Sequence, residues 1–489
     1  MATKTVPPCQ AACPVHTDVR GYVSSISSGD LETAIRIIRQ VNPFPFTCGR
    51  ICARPCESVC RRAQVDEPIA IAALKRFAAD NTKGMNLFQK PENIYSEKVA
   101  VIGSGPSGLA AAHDLALLGY KVTVFEAQNT IGGMLREGIP EFRLPKDIVN
   151  EECDFILSLG IEAKTSLSLG RDFSIEGLLR DFHAVLLAIG SQKSMLLKCK
   201  GIELSGIIKG VEFLKQISRG ERPHLGKSIV VVGGGHTAID AARTCFRLGF
   251  PDITIVYRRS FEEMPANREE IEEVEKEGIM VMYLTNPVEF LGDGKVEKVR
   301  CIRMKLCEPD ESGRPRPKPI ENSEFEISAD AVIFAIGYIP ETETLENNGL
   351  IVSKNNRIIV DGTGSTNIKG VFACGDVVSG PSSIIKAIAS GKKTAKTTHY
   401  YLRNLPVEEE EGYLSLGKLH DRIVKLINKS NRQKMPTLPI EKRINSFAEV
   451  ELGYNREQAL MESQRCLKCG TSELAKQLRS QSHSKQSKS

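Results

Sequence analysis

The chain has 489 residues, of which 41% are hydrophobic, and its formal net charge is +5. The length predicts about three domains, and the small positive charge, part of which lies in the C-terminal tail, gives no reason to expect a nucleic-acid partner. No apolar run reaches the roughly 18 residues that a membrane span requires, and residues 1–8 lack the apolar segment of a signal peptide. We therefore expect a soluble, cytoplasmic protein without a membrane span.

Fourteen cysteines in a chain without a secretion signal favour metal ligation over disulfide bonds. Zinc needs only four ligands, whereas a larger set of thiolates suits two four-iron clusters. The candidate thiolates lie near the two ends of the chain: Cys9, Cys13, Cys48, Cys52, Cys56, Cys60, Cys466 and Cys469. The others are scattered singly and are expected to be small buried hydrophobic residues: Cys153, Cys199, Cys245, Cys301, Cys307 and Cys374.

Residues 1–95 are predicted to form a compact helical domain that holds these clusters. The run that starts at Asp30 has apolar residues at helical spacing, and residues 68–77 predict another helix. Between them cysteines recur every four residues, a spacing that would stack thiols on one helix face. Pro55 interrupts this run, so we expect a turn-rich cluster-binding loop instead.

Residues 96–205 are predicted to form the first part of a dinucleotide-binding domain. A short apolar strand precedes a glycine-rich turn, a helix follows, and a second strand ends on Glu126. In this turn Gly103 permits the sharp bend, Gly105 lets backbone N–H groups approach a pyrophosphate, and Gly108 lets the helix pack closely. Glu126 is placed to accept a ribose hydroxyl. The predicted contacts of the turn are Gly103, Gly105, Pro106, Ser107 and Gly108.

A second glycine-containing segment, residues 132–145, follows that strand. Its glycines would let a flavin ring approach the backbone, which makes it a candidate FAD contact. The residues that we assign to this contact are Gly133, Met134, Leu135 and Arg143. A buried strand ending on a glycine, residues 184–190, closes this part of the domain.

Residues 206–329 carry a second dinucleotide signal with a different strand end. The turn contains Gly233, Gly235, His236, Thr237 and Ala238, with alanine at the third position of the motif. The following strand ends on two arginines where the first unit has Glu126, and an arginine pair suits the 2′-phosphate of NADPH. A solvated basic pair remains the alternative, and His236 is expected to line the site rather than to act as an acid or base. The predicted phosphate contacts are Arg258 and Arg259, with Arg268 as a weaker candidate.

From residue 330 to 405 the chain is predicted to return to the first domain. Residues 331–337 repeat the strand-plus-glycine signal of residues 184–190. Gly375 and Asp376 would place a carboxylate near the flavin, and a helix beginning near Ser383 and Ile384 would point its N-terminus at it. The pattern predicts an α/β fold with two Rossmann-like dinucleotide-binding domains, one inserted in the other.

Residues 406–470 are predicted to form a C-terminal extension. It has an acidic run at 408–411, expected to be a solvated face, and predicted helices at 416–427 and 456–463. It ends in Cys466-Leu467-Lys468-Cys469, and such a CxxC is ambiguous between a redox dithiol, zinc and a cluster, although no thioredoxin-like context surrounds it. Residues 471–489, rich in Ser, Lys and Gln, are expected to be disordered.

The assembled motifs resemble the small (beta) subunit of NADPH-dependent glutamate synthase and its relatives across nearly the whole chain. These relatives include the flavin and cluster portion of dihydropyrimidine dehydrogenase and the large subunit of NADH-dependent ferredoxin:NADP oxidoreductase. The motifs that carry the resemblance are Cys9-x3-Cys13, CGRIC at 48–52 with Cys56 and Cys60, VAVIGSGPSGL, GIPEFRLP, VVVGGGHTAID, YRRS and ACGDV. The resemblance implies FAD, NADPH and [4Fe-4S] clusters, and an all-α, helical ferredoxin-like domain before the nucleotide domains.

The resemblance also implies the cluster ligands. One cluster would take Cys9 and Cys60 with Cys466 and Cys469, so that the C-terminus returns to the N-terminal domain. The second would take Cys13, Cys52 and Cys56. Its fourth ligand in some relatives is Gln or Glu, and the matching residue here is Lys75, a poor ligand. The second cluster is therefore absent, or it uses Cys48 or another donor.

The implied activity is electron transfer from NADPH through FAD and the clusters to a partner subunit or a ferredoxin-like acceptor, without a general acid or base. One alternative is the small subunit of glutamate synthase proper, feeding a separate synthase subunit. Another is a non-catalytic FAD-binding redox sensor or scaffold. A disulfide reductase would need a cysteine pair beside the flavin, and Cys153 and Cys245 stand alone in their domains.

Overall fold

The computed structural model describes residues 3–85, 91–92, 94–309, 313–408 and 412–471. The predicted disordered tail beyond residue 471 and most of the acidic run at 408–411 lie outside these residues. None of the helices in the described part of the chain is long and apolar enough to cross a membrane.

The N-terminal region is helical apart from one short strand. Asp30 caps a helix, as the sequence predicts, by accepting a hydrogen bond from the backbone N–H of Thr33 at 3.0 Å. The elements are β1 (Thr3–Val6), α1 (Pro8–Ala12), α2 (Val19–Ser27), α3 (Leu31–Arg39), α4 (Pro45–Ile51), α5 (Pro55–Ser58), a 3₁₀ turn (Arg61–Gln64) and α6 (Ile71–Asp80).

Helix α6 begins three residues later than the sequence predicts. The backbone N–H of Ala70 donates to the Glu462 carboxylate at 2.8 Å instead of lying within a helix. A residue from the far end of the chain thus binds the N-terminus of this helix, a contact that local periodicity cannot reveal.

The next region forms a parallel sheet with strand order β16-β5-β2-β3-β4. Its edge strand β16 (Val371–Ala373) comes from a later part of the chain, after the insertion. Strand β2, which leads into the first glycine-rich turn, pairs with β3 on one side and β5 on the other. The elements up to the insertion are β2 (Lys98–Ile102), α7 (Pro106–Leu117), β3 (Lys121–Phe125), α8 (Met134–Glu137), α9 (Lys146–Leu157), β4 (Glu162–Lys164), α10 (Ile175–Asp181), β5 (Ala184–Leu187) and β6 (Lys193–Ser194).

The inserted region has its own parallel sheet, of order β10-β9-β8-β14-β7, and an antiparallel sheet of order β11-β12-β13. The antiparallel sheet was not predicted. The elements are β7 (Ile207–Lys209), α11 (Gly210–Ser218), β8 (Ser228–Val232), α12 (His236–Arg247), β9 (Asp252–Val256), a 3₁₀ turn (Phe261–Glu263), α13 (Arg268–Lys276), β10 (Met280–Met282), β11 (Thr285–Leu291), β12 (Lys298–Pro309), β13 (Pro315–Ser328) and β14 (Ala331–Phe334).

The return to the first domain occurs later than the predicted residue 330. Strand β14 pairs with β8 and β7, so it belongs to the inserted sheet. Strand β14 lies beside β8, which precedes the second glycine-rich turn, just as β5 lies beside β2, which precedes the first. The repeated strand-plus-glycine signal therefore marks the same element in two domains, and the chain returns at Tyr338–Ile339, which pairs antiparallel with β6.

The last part of the chain completes the first sheet and then runs back to the N-terminal region. Its elements are β15 (Tyr338–Ile339), α14 (Glu343–Asn347), β16 (Val371–Ala373), α15 (Asp376–Ser379), α16 (Ile384–Leu402), β17 (Gly412–Ser415), α17 (Asp421–Val424), a 3₁₀ turn (Ile440–Lys442) and α18 (Arg456–Gln464). Strand β17 pairs in parallel with β1. The helix predicted at 456–463 is confirmed by α18.

The helix predicted at 416–427 is wrong, because only α17 forms there. The backbone N–H of Leu416 donates to the carbonyl oxygen of Val6 at 3.1 Å, and that of Leu419 donates to the Gln64 side chain at 3.0 Å. These long-range bonds hold the first part of the segment extended. The N-terminal helices, the first sheet and α18 then share one hydrophobic core, with Leu74, Leu109 and Ala459 among its members.

Candidate active site

The first nucleotide-binding turn joins β2 to α7. Gly103 has a φ of +103°, and a Cβ there would lie 2.5 Å from the carbonyl oxygen of Ala188. A Cβ on Gly108 would lie 2.0 Å from the carbonyl oxygen of Gly103, so a side chain there would push the helix away. Gly105 is the N-cap of α7 and has open space around its Cα. The backbone N–H groups at this helix end are thus accessible to an anionic ligand.

The second turn joins β8 to α12 and repeats this geometry. Gly233 has a φ of +145°, and a Cβ there would lie 2.3 Å from the carbonyl oxygen of Ala335. Gly235 is the N-cap of α12 and again has open space around it. Ala238, at the third motif position, is buried. The chain thus has two helix N-termini of the kind that bind a dinucleotide pyrophosphate.

A cavity of about 680 Å³ lies between the two nucleotide-binding regions, a volume within the usual range for cofactor sites. The predicted FAD contacts that line it are Gly103, Gly105, Pro106, Ser107, Glu126, Gly133, Met134, Leu135, Arg143, Asp376, Ser383 and Ile384. The predicted NADPH contacts that line it are His236 and Thr237. Its lining leaves out Gly108, Gly375, Gly233, Gly235, Ala238, Arg258, Arg259 and Arg268.

Two predicted carboxylates lie at the cavity wall and are held by hydrogen bonds. Glu126 accepts from the backbone N–H of Ser104 at 3.0 Å and its hydroxyl at 2.5 Å, and from the backbone N–H of Gln128 at 2.8 Å. Asp376 accepts from the Ser382 hydroxyl at 2.8 Å, and burial raises the pKa of this carboxyl. Both carboxylates therefore have fixed positions beside the cavity.

Arg143 lines the cavity but binds carboxylates of the inserted region. Its Nη1 donates to both carboxylate oxygens of Asp240 at 2.8 Å, and its Nη2 donates to Glu270. Glu270 also pairs with His236 Nδ1 at 2.7 Å. Burial alone would raise the pKa of Glu270, but Arg143 and His236 lower it to about 2. A charged network thus ties the two nucleotide-binding regions together.

The predicted arginine pair after β9 is divided between surface and interior. Arg258 is exposed, whereas Arg259 is buried and its Nε donates to the carbonyl oxygen of Pro315 at 2.9 Å. Arg268 is exposed and pairs with Glu262. The second arginine thus binds the start of β13, and the predicted binding of a 2′-phosphate by this pair stays a prediction.

Four cysteines from the two ends of the chain meet at one site, which we name the outer group: Cys9, Cys60, Cys466 and Cys469. They line a cavity of about 30 Å³, and all are partly exposed. Partial burial raises the pKa of each thiol, so a bound metal centre must displace the protons. These are the four positions that the family resemblance implies for one cluster.

Buried arginines hold the C-terminal segment on the N-terminal region. Arg62 donates to the carbonyl oxygen of Arg465 at 3.2 Å and to Asp66 at 2.7 Å. Arg465 in turn donates to Asp66 at 2.9 Å, across 399 residues of sequence. Arg20 donates to the carbonyl oxygen of Cys469 at 3.1 Å. The outer group therefore depends on ion pairs between distant parts of the chain.

The inner group consists of four buried cysteines from one stretch of sequence: Cys13, Cys48, Cys52 and Cys56. Lys75, at the position where the resemblance implies a fourth ligand, is buried and interacts electrostatically with all four. A hydrogen bond from the Cys48 thiol lowers the pKa of Cys52 to about 6; burial opposes this shift and Lys75 adds to it.

Helix α4, which carries Cys48, is anchored by a buried carboxylate of the next domain. Glu152 on α9 accepts from the backbone N–H of Phe46 at 2.6 Å and of Thr47 at 3.2 Å, and from the Thr47 hydroxyl. Burial raises the pKa of Glu152 to about 7. The inner group is thus fixed to the first nucleotide-binding region.

The inner group adjoins the nucleotide cavity, whereas the outer group does not. Ile51 and Ala53, the neighbours of Cys52, line that cavity, and no outer-group cysteine does. Within the described ranges, no three His, Cys, Asp or Glu side chains are arranged to hold a single metal ion. Thiolates of a four-iron cluster bind different irons, so their sulfurs stand further apart than the ligands of one ion.

Sequence reasoning missed several residues that line the cavity. They come from separate segments, and apart from Ile51 and Asp240, which lie inside quoted motifs, no local signal distinguishes them: Ile51, Ala53, Gln128, Ser191, Glu212, Lys215, Asp240, Tyr338 and Glu341. Of the scattered cysteines, Cys199 and Cys307 are only partly buried, and the others are buried as predicted.

Comparison with known families agrees with this arrangement. Residues 97–391, more than half of the chain, match the model described as pyridine nucleotide-disulphide oxidoreductase. The chain belongs to the pyridine nucleotide-disulphide oxidoreductase family. Residues 3–87 match a second model, described as dihydropyrimidine dehydrogenase domain II, 4Fe-4S cluster. This family member therefore carries an N-terminal 4Fe-4S domain.

Three relatives illustrate the similarity. The NADP(+)-dependent formate dehydrogenase subunit beta of Moorella thermoacetica is 38% identical over 94% of this chain and 70% of its own length. The NADPH-Fe(3+) oxidoreductase subunit beta of Geobacter sulfurreducens is 35% identical over 95% of this chain and 75% of its own length. The glutamate synthase [NADPH] small chain of Azospirillum brasilense is 35% identical over 80% of this chain and 87% of its own length.

Among solved structures, Mycobacterium tuberculosis FprA in complex with NADPH is similar in fold. Its TM-score is 0.57 at 21% identity, and the match covers 63% of this chain and 85% of that one. The predicted family, fold class and oxidoreductase class are confirmed, as are the predicted FAD, NADPH and [4Fe-4S] cofactors. The family member is an NADPH-dependent FAD oxidoreductase with a 4Fe-4S domain.

Proposed function

We propose that the chain takes electrons from NADPH and delivers them, through the inner group and then the outer group of cysteines, to a one-electron acceptor on another polypeptide. The observation that carries this proposal is the shared wall between the nucleotide cavity and the inner group, made by Ile51 and Ala53 on either side of Cys52. The outer group is partly exposed and lies away from the cavity. This order leads electrons from the interior to the surface.

The proposed FAD site is the cavity lined by the glycine-rich turn between β2 and α7. FAD, when bound, accepts a hydride from NADPH and can release the electrons singly. The open space at Gly105 supports pyrophosphate binding at the N-terminus of α7. Glu126 would orient the ribose, and Asp376 would contact the chain that leads to the flavin ring. The other proposed contacts are Gly103, Pro106, Ser107, Gly108, Gly133, Met134, Leu135, Gly375, Ser383 and Ile384.

The proposed NADPH site is the N-terminus of α12 with the exposed Arg258 at the end of β9. The turn residues are Gly233, Gly235, His236, Thr237 and Ala238. We assign the 2′-phosphate to Arg258, because its side chain is exposed at the end of β9, whereas that of Arg259 is buried. Arg143 acts as a positioning residue, since its ion pairs with Asp240 and Glu270 set the second region against the first.

The domain boundaries that fit this proposal are 1–95, 96–206 with 338–405, 207–337, and 406–471. The first holds the clusters, the discontinuous second holds FAD and the inserted third holds NADPH. The fourth supplies half of the outer-group ligands. The strand memberships of β7, β14 and β15 support the limits of the insertion.

The proposed acceptor is a separate subunit or a ferredoxin-like carrier that contacts the outer group. Relatives named as beta subunits match 94–95% of this chain, and their matches are long enough to reach into the C-terminal extension. The glutamate synthase small chain matches 80%. This difference favours an acceptor other than glutamate synthase, which remains the second candidate because that small chain is matched over 87% of its length.

The first test is anaerobic reduction of the purified chain by NADPH. We expect the flavin absorbance to bleach and the reduced-cluster EPR signals to appear. An unbleached flavin would support a non-catalytic FAD-binding scaffold and overturn the proposal. Anaerobic affinity purification from the native cell then separates the acceptors: a large subunit with amidotransferase activity indicates glutamate synthase, and a cluster-bearing or flavin-bearing subunit indicates another redox complex.

The nucleotide assignment has its own test in Arg258→Ala. Loss of the guanidinium should raise KM for NADPH about ten-fold, which corresponds to about 1.4 kcal/mol, and leave KM for NADH unchanged. Arg268→Ala is the matched control, because that arginine is also exposed but lies on α13 rather than at the end of β9. Equal effects on both nucleotides would refute the assignment.

A further inference from the structure

A buried lysine lies among the cysteines of the inner group. Lys75 on α6 is only 6% exposed. The groups that act most strongly on its ammonium are Cys48, Cys13, Cys52 and Cys56. Within the described part of the chain, no carboxylate forms an ion pair with Lys75. The strongest electrostatic partners of its positive charge are therefore sulfur atoms.

The packing of two helices fixes this arrangement. A Cβ on Gly49 would lie 2.7 Å from the Cα of Arg76, so α4 and α6 touch backbone to backbone at this point. Cys48 and Lys75 each precede one of these two residues and hence lie at the same contact. Cys48 is fully buried, and its thiol lies next to that of Cys52 and 3.9 Å from the side-chain oxygen of Asn42.

A buried ammonium is costly unless a negative charge compensates it. No described carboxylate forms an ion pair with Lys75, so the compensating charge has to come from the inner-group sulfurs in their thiolate form. A four-iron cluster with four thiolate ligands carries a net negative charge and can provide it. A charged ammonium also has no lone pair to offer iron, so it balances such a cluster without ligating it.

We propose that Cys48 is the fourth ligand of the inner cluster, with Cys13, Cys52 and Cys56, and that Lys75 is the buried counter-charge of that cluster rather than a ligand. The inference rests on the proposed function only in requiring that the inner cluster exists. Reduction adds negative charge to a cluster, so a fixed ammonium beside it favours the reduced form. Lys75 thus raises the midpoint potential of the inner cluster relative to an uncharged neighbour.

The test uses the full chain, purified anaerobically, with Cys48→Ala, Lys75→Leu and Lys75→Arg. Cys153→Ala is the control, because that cysteine is equally buried but lies outside both groups. The readouts are iron per chain, flavin content, the EPR spectrum of the reduced protein and the midpoint potential of each cluster by redox titration.

We expect Cys48→Ala to lose between about one and about four irons of a total near eight and to lose the inner-cluster EPR signal, with flavin content unchanged. Lys75→Leu should keep its iron but shift the inner-cluster potential downward and leave the outer-cluster potential unchanged. Lys75→Arg should stay close to the parent protein.

An intact inner-cluster signal in Cys48→Ala would overturn the ligand assignment. Iron loss in both Lys75→Leu and Lys75→Arg, as expected if the lysine nitrogen were a ligand, or an unshifted potential in Lys75→Leu, would overturn the counter-charge. If Cys48→Ala fails to fold, the two lysine variants still decide the counter-charge. Only about four irons in the parent chain would overturn the whole inference, whereas NADPH would still bleach the flavin if the proposed function holds.

Discussion

The outer and inner cysteine groups have equal numbers of thiols but are built differently. The outer group joins two segments from opposite ends of the chain and is partly exposed. The inner group comes from residues 13–56 and is buried around Lys75. The first therefore depends on long-range ion pairs between the chain ends, and the second depends on the packing of neighbouring helices.

This difference separates two requirements of electron transfer. In the proposed path, the cluster beside the flavin must be shielded and fixed, and the helix contact at Gly49 and the Glu152 anchor of α4 meet this need. A cluster that serves a partner must reach the surface, and a site closed by the returning C-terminal segment does so. The predictions that follow perturb one group at a time.

The largest effect should come from the double variant Cys466→Ala/Cys469→Ala. Removing two of the four proposed outer ligands should eliminate about four irons per chain and slow electron delivery to a one-electron acceptor at least about ten-fold. Flavin bleaching by NADPH should persist, because the nucleotide cavity is untouched. Iron analysis and acceptor reduction check this, with Cys307→Ala as the control. Acceptor reduction at the parent rate would show that electrons leave by another route.

The next-largest effect, on stability, concerns Glu152, which anchors helix α4 of the inner group. Burial raises its pKa from 4.5 to about 7, so its contribution to stability is fully present below about pH 4.5 and is lost as the pH rises through about 7. We expect the parent chain to lose up to roughly 3 kcal/mol of unfolding free energy from this group between about pH 5 and about pH 8.

Glu152→Gln should remove this pH-dependent component. Denaturant unfolding at several pH values measures it, as the difference between the variant and the parent. Asp154→Asn is the matched control, because it lies on the same helix but is exposed. Parallel pH curves for Glu152→Gln and the parent chain would contradict the role of the buried carboxyl.

A smaller loss of stability should follow Asp66→Ala, beside the outer group. It leaves the guanidinium groups of Arg62 and Arg465 without their shared carboxylate. Because Asp66 is partly exposed, we expect a loss of about 2 kcal/mol, below the value for a fully buried pair. The outer cluster should then be lost at lower denaturant concentration, with the inner-cluster EPR signal retained.

Glu67→Gln is the control for this variant. Glu67 is next to Asp66 in the sequence, but its carboxylate is exposed and accepts only a long 3.4 Å hydrogen bond from the backbone N–H of Arg432. Simultaneous loss of both clusters in Asp66→Ala would mean that the two groups do not depend on separate contacts.

Local signals in the sequence were sufficient for the two nucleotide turns, because strand, glycines and helix follow one another within about 30 residues. The helix after Asp30 and the helix before Cys466 were predictable for the same reason. The membership of β14 was not, since two similar domains carry the same strand-plus-glycine signal and pairing depends on distant residues.

Other features were decided by contacts that no short window contains. Glu462 binds the N-terminus of α6, Val6 binds Leu416, and Pro315 binds Arg259. The meeting of the chain ends at the outer group was suggested by resemblance and not by any local pattern. The neighbours of Cys52 at the cavity wall also had no signal, because they are ordinary apolar residues.

The most direct test of the proposed electron path is rapid-freeze EPR after anaerobic mixing of the chain with NADPH, with the Cys466→Ala/Cys469→Ala variant measured in parallel. We predict that the inner-cluster signal appears before the outer-cluster signal in the parent chain. In the variant the inner-cluster signal should appear at the same rate and persist. An outer-cluster signal that appears first, or loss of the inner-cluster signal in the variant, would contradict the path from cavity to inner group to surface.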